Sequence, residues 1–451
     1  MFQQLTLRFF IVGIAGLMIS CGNAEKSSLI TVTSKDYHEA QDMLTAVMVH
    51  DIFSPPQASR VYAYTNIAAY EIIAQSQGDS IVSLKNKLND FKGISPPQDS
   101  LVNLKLAALI SFIELGKHFV YSKEMLGPYS DNFNDHWSGI NKPVYTASKK
   151  YALQVVGEIK TWMNKDNFIE TRSFSKFQVN YDNLARWQPT PPDYMDGIEP
   201  NWGKIRPFVL ESADQFKPIS PPKFSLEKGS KFIQEIGEVQ RIVDDIRSDS
   251  HPNEFEEIAK FWDCNPYVST HKGHVIFALK KISPGAHWMG IAKIASKEKN
   301  LGILKVVEAY TLTAIAIADG FISCWDEKYR SNLVRPETII NKLFDPTWYP
   351  ILQTPPFPEY TSGHSVISGA ASVVLTKLFG EPFHFVDDTE TAYGLPQREF
   401  KSFRQAANEA ALSRLYGGIH YRQAIEEGLV QGRKIGLFVS KRVLTTRQKM
   451  F

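Results

Sequence analysis

Three short segments near the C-terminus hold the residues with the most chemical reach. The first, Trp325-Asp326-Glu327-Lys328-Tyr329-Arg330-Ser331-Asn332-Leu333-Val334-Arg335-Pro336, sets Lys328 and Arg335 seven apart. At ~100° per residue this returns both cations to one helical face, and Pro336 favours a break just after Arg335. Two cations on one face repel unless an anion sits between them; a solvated surface pair is the alternative. The second is Tyr360-Thr361-Ser362-Gly363-His364, followed by a helical pattern over Ser365–Phe379 and a capping Gly380. Ser362-Gly363-His364 then opens a helix, where free amides and the helix dipole favour an oxyanion and Gly363 lets the backbone come close. The alternative is a plain N-cap with His364 as a first-turn surface residue. The third is Ser413-Arg414-Leu415-Tyr416-Gly417-Gly418-Ile419-His420-Tyr421-Arg422. A distortion at Gly417-Gly418 lets Arg414 and His420 converge; a packed Gly-Gly contact beside a core histidine reads the same way. Together Lys328, Arg335, Arg414, Ser362, the Gly363 amide, His364 and His420 exceed what a monoanion needs. They suit a tetrahedral, multiply charged oxyanion, phosphate-like in shape and screened from water.

These segments need a scaffold, and the chain is long enough to bury a core without disulfides. It has 451 residues, 43% hydrophobic and 22% charged, which excludes a disordered polymer. Net charge is +2 without a basic block, which argues against a nucleic-acid partner held by bulk electrostatics. Met1–Ser20 has the layout of a secretory signal: Arg8, then an apolar run from Phe9 to Ile19. Ser20 before Cys21 resembles a bacterial lipoprotein box, with Cys21 as a lipidated N-terminus and a tether to residue 35. An exported, periplasmic or outer-membrane-anchored protein is expected, with the lipid on Cys21 as its membrane contact. Cys264 and Cys324 are left as buried thiols or a pair. Helical spacing recurs over Ala40–Val49, Ala58–Ala74, Leu101–Phe119, Ser148–Met163, Lys228–Ile246 and Ile291–Cys324, while period-two strands are scarce. The expectation is one all-α domain over 36–451, with the oxyanion site in 325–424. Val306–Trp325 is its most apolar later stretch, and Glu308 and Asp319 within it favour a core helix over a membrane span. Pro189–Pro222 holds eight of 25 prolines and Pro346–Pro358 five, which marks both as candidate functional loops.

Lys328…Arg335-Pro336, Thr361-Ser362-Gly363-His364 and Ser413-Arg414…His420, in that order, resemble the signature of the type 2 phosphatidic acid phosphatase and vanadium-dependent haloperoxidase superfamily. The likeness covers Trp325–Arg422, and more loosely Asp51–Arg60 and Phe261-Trp262-Asp263. It implies an all-α fold of helical bundles. Trp325 three before the lysine, Phe357 five before the motif serine, Asp326, and Tyr267 after Phe-Trp-Asp resemble the vanadium-dependent iodoperoxidases of marine Bacteroidetes. The resemblance implies vanadate as cofactor where phosphate also fits, with hydrogen peroxide and halide as substrates, iodide first and bromide next. His420 would ligate vanadium. Lys328, Arg335, Arg414, Ser362 and the Gly363 amide would neutralise its oxygens, His364 would be the acid–base, and Lys328 would polarise the peroxide. Trp325, Phe357, Asp326 and Tyr267 would form the halide pocket, and Asp263 would pair with Arg414.

Two residues depart from the pattern. Thr361 replaces a proline, and Ala424 stands where many members carry an aspartate that orients the histidine. Glu426, Glu427 or a backbone carbonyl would have to take that role. Two other readings stand beside the peroxidase. One is a periplasmic acid phosphatase, in which His420 forms a phosphohistidine and His364 protonates the leaving alcohol. The other is an inactive oxyanion-binding lipoprotein, for which Ala424 is the support.

Overall fold

The computed structural model describes residues 30–76, 81–248, 253–272, 275–278 and 280–444. The expected signal segment and Cys21 lie outside the described residues. The helices run in chain order as α1 (Ser34–His50), α2 (Pro55–Ile73), α3 (Leu104–Phe119), α4 (Gly127–Ile140), α5 (Lys142–Met163), α6 (Phe168–Thr171) and α7 (Lys231–Ser248). Then follow α8 (Glu254–Phe261), α9 (Pro284–Glu298), α10 (Ile303–Ser331), α11 (Pro336–Leu343), α12 (Gly363–Phe379), α13 (Phe403–Tyr416) and α14 (Arg422–Val443). Two short antiparallel hairpins interrupt them. Ser269–Lys272 (β1) pairs with Val275–Ala278 (β2), and Phe385–Asp387 (β3) pairs with Arg398–Phe400 (β4). The fold is helical, as expected from the spacing of apolar residues.

The helix α10 is the axis of the protein. It packs on α2, α9, α12 and α14, and its most apolar window is entirely buried. By length and composition it could cross a membrane, but here it lies inside protein. Asp319 is buried within it and accepts the amides of Phe208 (2.6 Å), Val209 (2.8 Å) and Leu210 (3.0 Å). Burial pushes its carboxyl up to about 6, against those three bonds. One buried carboxylate thus pins the Pro189–Pro222 segment onto the helix.

Two expectations are corrected, and one left open is settled. The Ile291–Cys324 window is two helices, because Asn300 turns left-handed (φ 46°) and Gly302 caps a new start. The tether is shorter than expected: Ile30 and Val32 are already buried, and Ser34 begins α1. Cys264 and Cys324 are both buried free thiols, not a pair.

The helices α12 and α14 approach each other closely. A Cβ at Gly432 would overlap the Val366 carbonyl oxygen, and one at Gly436 that of Ala370. At the near end of this crossing the Ser362 amide donates to the Ala424 carbonyl at 3.1 Å. The register of the crossing therefore fixes where the first turn of α12 points. Gly432→Ala must part the two backbones, and about 3 kcal/mol of lost stability is expected. Urea unfolding measures it; an unchanged midpoint would mean that the contact yields without cost.

Candidate active site

The last turn of α10 and the start of α11 supply the first pair of cations. They do not share a helical face, as the seven-residue spacing suggested. The helix ends at Ser331, Asn332 turns left-handed (φ 49°), and Arg335 is the N-cap of α11. The turn folds the two side chains back together. Lys328 is fully buried and its Nζ donates to the carbonyls of Pro358 (2.9 Å) and Glu359 (3.0 Å). Arg335 donates from Nε to Phe357 O (3.0 Å), and from Nη1 to Ile419 O (2.8 Å).

Ser362 caps α12, its Oγ accepting the Ser365 amide at 3.3 Å, which leaves its O–H to donate. Gly363 and His364 form the first turn, whose leading amides have no partner within the helix. On the third segment α13 ends at Tyr416 rather than bending, and Gly418 (φ 75°) reverses the chain toward His420. Arg414, in the last turn of α13, donates from Nη1 to the Trp262 carbonyl at 2.8 Å. Its Nη2 lies 3.8 Å from Asp263 Oδ1, as the family resemblance implied.

His420 is held by a residue that sequence reasoning missed. Its Nδ1 lies 2.7 Å from Glu359 Oε1, which also accepts the Tyr421 amide at 3.0 Å. Its Nε2 lies 3.1 Å from Arg335 Nη1. A guanidinium only donates, so Nε2 must be the acceptor, and the ring proton is assigned to Nδ1, donating to Glu359. The available lone pair is therefore on Nε2. Glu426 and Glu427 do not take this role, and Ala424 is buried with its carbonyl on the Ser362 amide. The available signal was a lone acid in the apolar run Phe357-Pro358-Glu359-Tyr360, three residues before Ser362.

Burial governs the electrostatics, and like charge adds to it. Burial, with Arg335 as a further cause, pushes Lys328 down to about 7, though Cys324 and Glu359 pull it up. Burial and Arg414 bring Arg335 down to about 10, against Glu359. Burial also lowers Arg414, which Asp263 opposes. Burial with the surrounding cations holds His420 and His364 well below the ordinary imidazole value, so both rings are neutral. Arg335 Nη2, Arg414 Nε and Nη2, and His364 Nε2 are buried without a hydrogen-bond partner among the described residues. Unpartnered buried donors around one lone pair are what a multiply charged oxyanion would satisfy, so the residues present fit vanadate or phosphate.

The pocket is small, with a cavity volume of about 20 Å³. His364, Arg414, His420 and Gly363 lie at its polar side, Trp325, Phe321 and Phe357 form an aromatic wall, and Pro55, Pro266, Pro284 and Pro355 line it with Cys264, Asn265 and Ile419. Trp325 packs 5.0 Å from Phe357, and its indole N–H donates to Ile198 O (3.1 Å). Two expected pocket residues are placed elsewhere. Asp326 faces out and pairs with Arg330 at 3.0 Å, because it lies one residue round the helix from Trp325. Tyr267 follows the lining residues Asn265 and Pro266, but its phenol bonds the Ser54 side chain instead. Cys264, which also lines the pocket, forms with His287 and Glu390 behind it a buried group whose atoms all lie close enough to share an ion.

An all-helical scaffold around a buried, cation-lined oxyanion pocket with an aromatic wall defines the class. The model of the VCPO second helical-bundle domain matches residues 308–449. The crystal structure of the first bacterial vanadium-dependent iodoperoxidase is 54% identical, with a TM-score of 0.88, over 92% of this chain and 97% of that one. Holo-type and apo-type structures of a bacterial vanadium-dependent chloroperoxidase share the fold at 15% identity and TM-scores of 0.63. The holo-type match covers 89% of this chain and 94% of that one, the apo-type 85% and 92%. No curated protein sequence matches the chain. The chain belongs to the vanadium-dependent haloperoxidase family.

Glu359→Gln tests the histidine assignment. A glutamine amide can donate to Nδ1 and move the ring proton to Nε2. Vanadate affinity is expected to fall by about 10–100-fold with the fold intact. Calorimetric titration measures it, and unchanged affinity would sink the assignment.

Proposed function

We propose that this chain oxidises halide, iodide foremost, with hydrogen peroxide to hypohalous acid, using vanadate held in the pocket. The observation that carries this reading is the set of unpartnered donors on Arg335 and Arg414, with the unpartnered Nε2 of His364, around Nε2 of His420. The 54% identity to an iodoperoxidase supports iodide as the halide.

Bound vanadate would supply a Lewis acid that activates peroxide without changing oxidation state. His420 Nε2 would hold it, with Glu359 keeping the ring in the tautomer that leaves Nε2 unprotonated. Lys328, Arg335, Arg414, the Ser362 hydroxyl and the Gly363 amide would neutralise its oxygens. The free Nε2 of His364 takes a proton from incoming hydrogen peroxide, since its other ring nitrogen is turned to the Trp262 carbonyl. Trp325 and Phe357 exclude water and give the halide an apolar approach. The same pocket would hold a phosphate ester, so the phosphatase reading is the rival to test.

Full-length protein in phosphate-free buffer should form triiodide from iodide and hydrogen peroxide only when vanadate is added, and phosphate should suppress it. His420→Ala should lose vanadate retention and at least about 100-fold of the rate. Hydrolysis of an aryl phosphate without iodide oxidation would replace the peroxidase reading with the phosphatase one. We also propose that the chain is exported and anchored through Cys21, a reading supported by the layout of Met1–Cys21. Mass spectrometry of the membrane fraction should find a lipidated Cys21 N-terminus; an unmodified protein there would overturn the anchor.

A further inference from the structure

We propose that His287, which lies behind the pocket wall, is a positioning residue that holds the Trp262-Asp263-Cys264 segment and, through it, Arg414 and His364. This inference rests on the oxyanion reading of the pocket and adds a residue that none of the three sequence motifs contains.

The segment works on two sides. Toward the pocket, the Trp262 carbonyl accepts Arg414 Nη1 at 2.8 Å and also takes a hydrogen bond from His364. Asp263 lies between Arg414 and Lys281, 3.8 Å from Arg414 Nη2 and hydrogen-bonded to Lys281 Nζ. Two pocket residues with unpartnered side-chain nitrogens therefore share one carbonyl as their anchor. A displaced Trp262 carbonyl would misplace both.

Away from the pocket, both flanks of the segment rest on His287. The Trp262 indole lies over the imidazole with ring centroids 4.4 Å apart and planes 18° from parallel. The Cys264 Sγ sits 3.4 Å from His287 Nδ1 and 3.5 Å from Glu390 Oε1. His287 is wholly buried on α9, and its own position is set from both ends. Nε2 lies 2.8 Å from Asp387 Oδ2, and Nδ1 lies 3.1 Å from Glu390 Oε1. A carboxylate at each ring nitrogen calls for two N–H donors, so the ring is an imidazolium. An imidazolium under an indole adds cation–π attraction to the stacking, worth most where water is excluded. The far edge of the indole is tied as well, its N–H donating to Glu409 Oε1 at 3.0 Å. The hairpin β3–β4 and the turn after β3 supply Asp387 and Glu390, which gives this excursion from the helical fold a role. Although the thiol, imidazole and carboxylate lie close enough to share an ion, each already has a hydrogen-bonded partner.

The test compares His287→Gln and Trp262→Leu with the wild type by calorimetric titration of vanadate into the full-length protein. Ile159→Val, in the core of α5, serves as a control for simple loss of stability. Both variants are expected to bind vanadate at least about tenfold more weakly. At saturating vanadate the KM for iodide should stay near the wild-type value while kcat falls, because the aromatic wall is untouched. If His287→Gln does not fold, Trp262→Leu decides alone, since it removes the stack and keeps the carbonyl. Binding within twofold of wild type in the folded variants would overturn the inference. So would a loss that the control reproduces at an equal drop in melting temperature. A wild-type protein that binds no vanadate would overturn the proposed function and this inference together, whereas unaltered variants of a binding wild type overturn this inference alone.

Discussion

Three basic side chains, Lys328, Arg335 and Arg414, are buried close to one another around the pocket. Much of the surrounding structure can be understood as the answer to that constraint. Burying a charge is costly unless it is paired and hydrogen-bonded. Here the hydrogen bonds come mostly from carbonyls: Pro358 and Glu359 for Lys328, Phe357 and Ile419 for Arg335, Trp262 for Arg414. Carbonyls orient a cation without cancelling its charge. The charge that remains is what makes the pocket selective for a multivalent anion. The proline-rich loop Pro346–Pro358 suits this work. A proline contributes a carbonyl and no N–H, so the loop can be buried against cations without leaving amides that need acceptors.

The motif residues were legible because they are chemically scarce and ordered along the chain. Gly363, His364, Arg414 and His420 line one pocket, Arg335 reaches His420, and Trp325 and Phe357 form a wall. Their route to convergence was less legible. A left-handed Asn332 and a left-handed Gly418 do what a continuous face and a bent helix were expected to do. Periodicity reports which residues are apolar; it does not report where a single residue reverses the chain. The fused Ile291–Cys324 window has the same cause, since Asn300 and Gly302 sit between two helices of similar pattern. Glu359 was missed for a different reason. A lone glutamate carries no spacing signal, and its partner lies 61 residues away.

Glu359 also gives Ala424 a physical account. Many members of the family orient the histidine from the following helix; here the carboxylate comes from the strand of chain that leads into Ser362. That leaves the Ala424 position free to be small, which suits the tight approach of α12 and α14. Its carbonyl holds the Ser362 amide, and nearby Gly428 packs on Ser362 and Ser365. The loss of an aspartate is thus no sign of a decayed site. The orienting carboxylate and the glycine-lined crossing serve one purpose, which is to set the first turn of α12 against His420.

The prolines around the pocket have a consequence for traffic. Pro55, Pro266, Pro284 and Pro355 come from four separate stretches of chain. Each is buried and has its φ fixed by a ring, so the part of the wall they build is stiff and acts as a sieve and not as a door. Entry is then sorted by the size of the visitor, small anions and small neutral oxidants before bulky organic molecules. A larger molecule that ends up halogenated would meet the oxidant after it has left, in open solution, where its own reactivity and not the protein's shape chooses the position attacked.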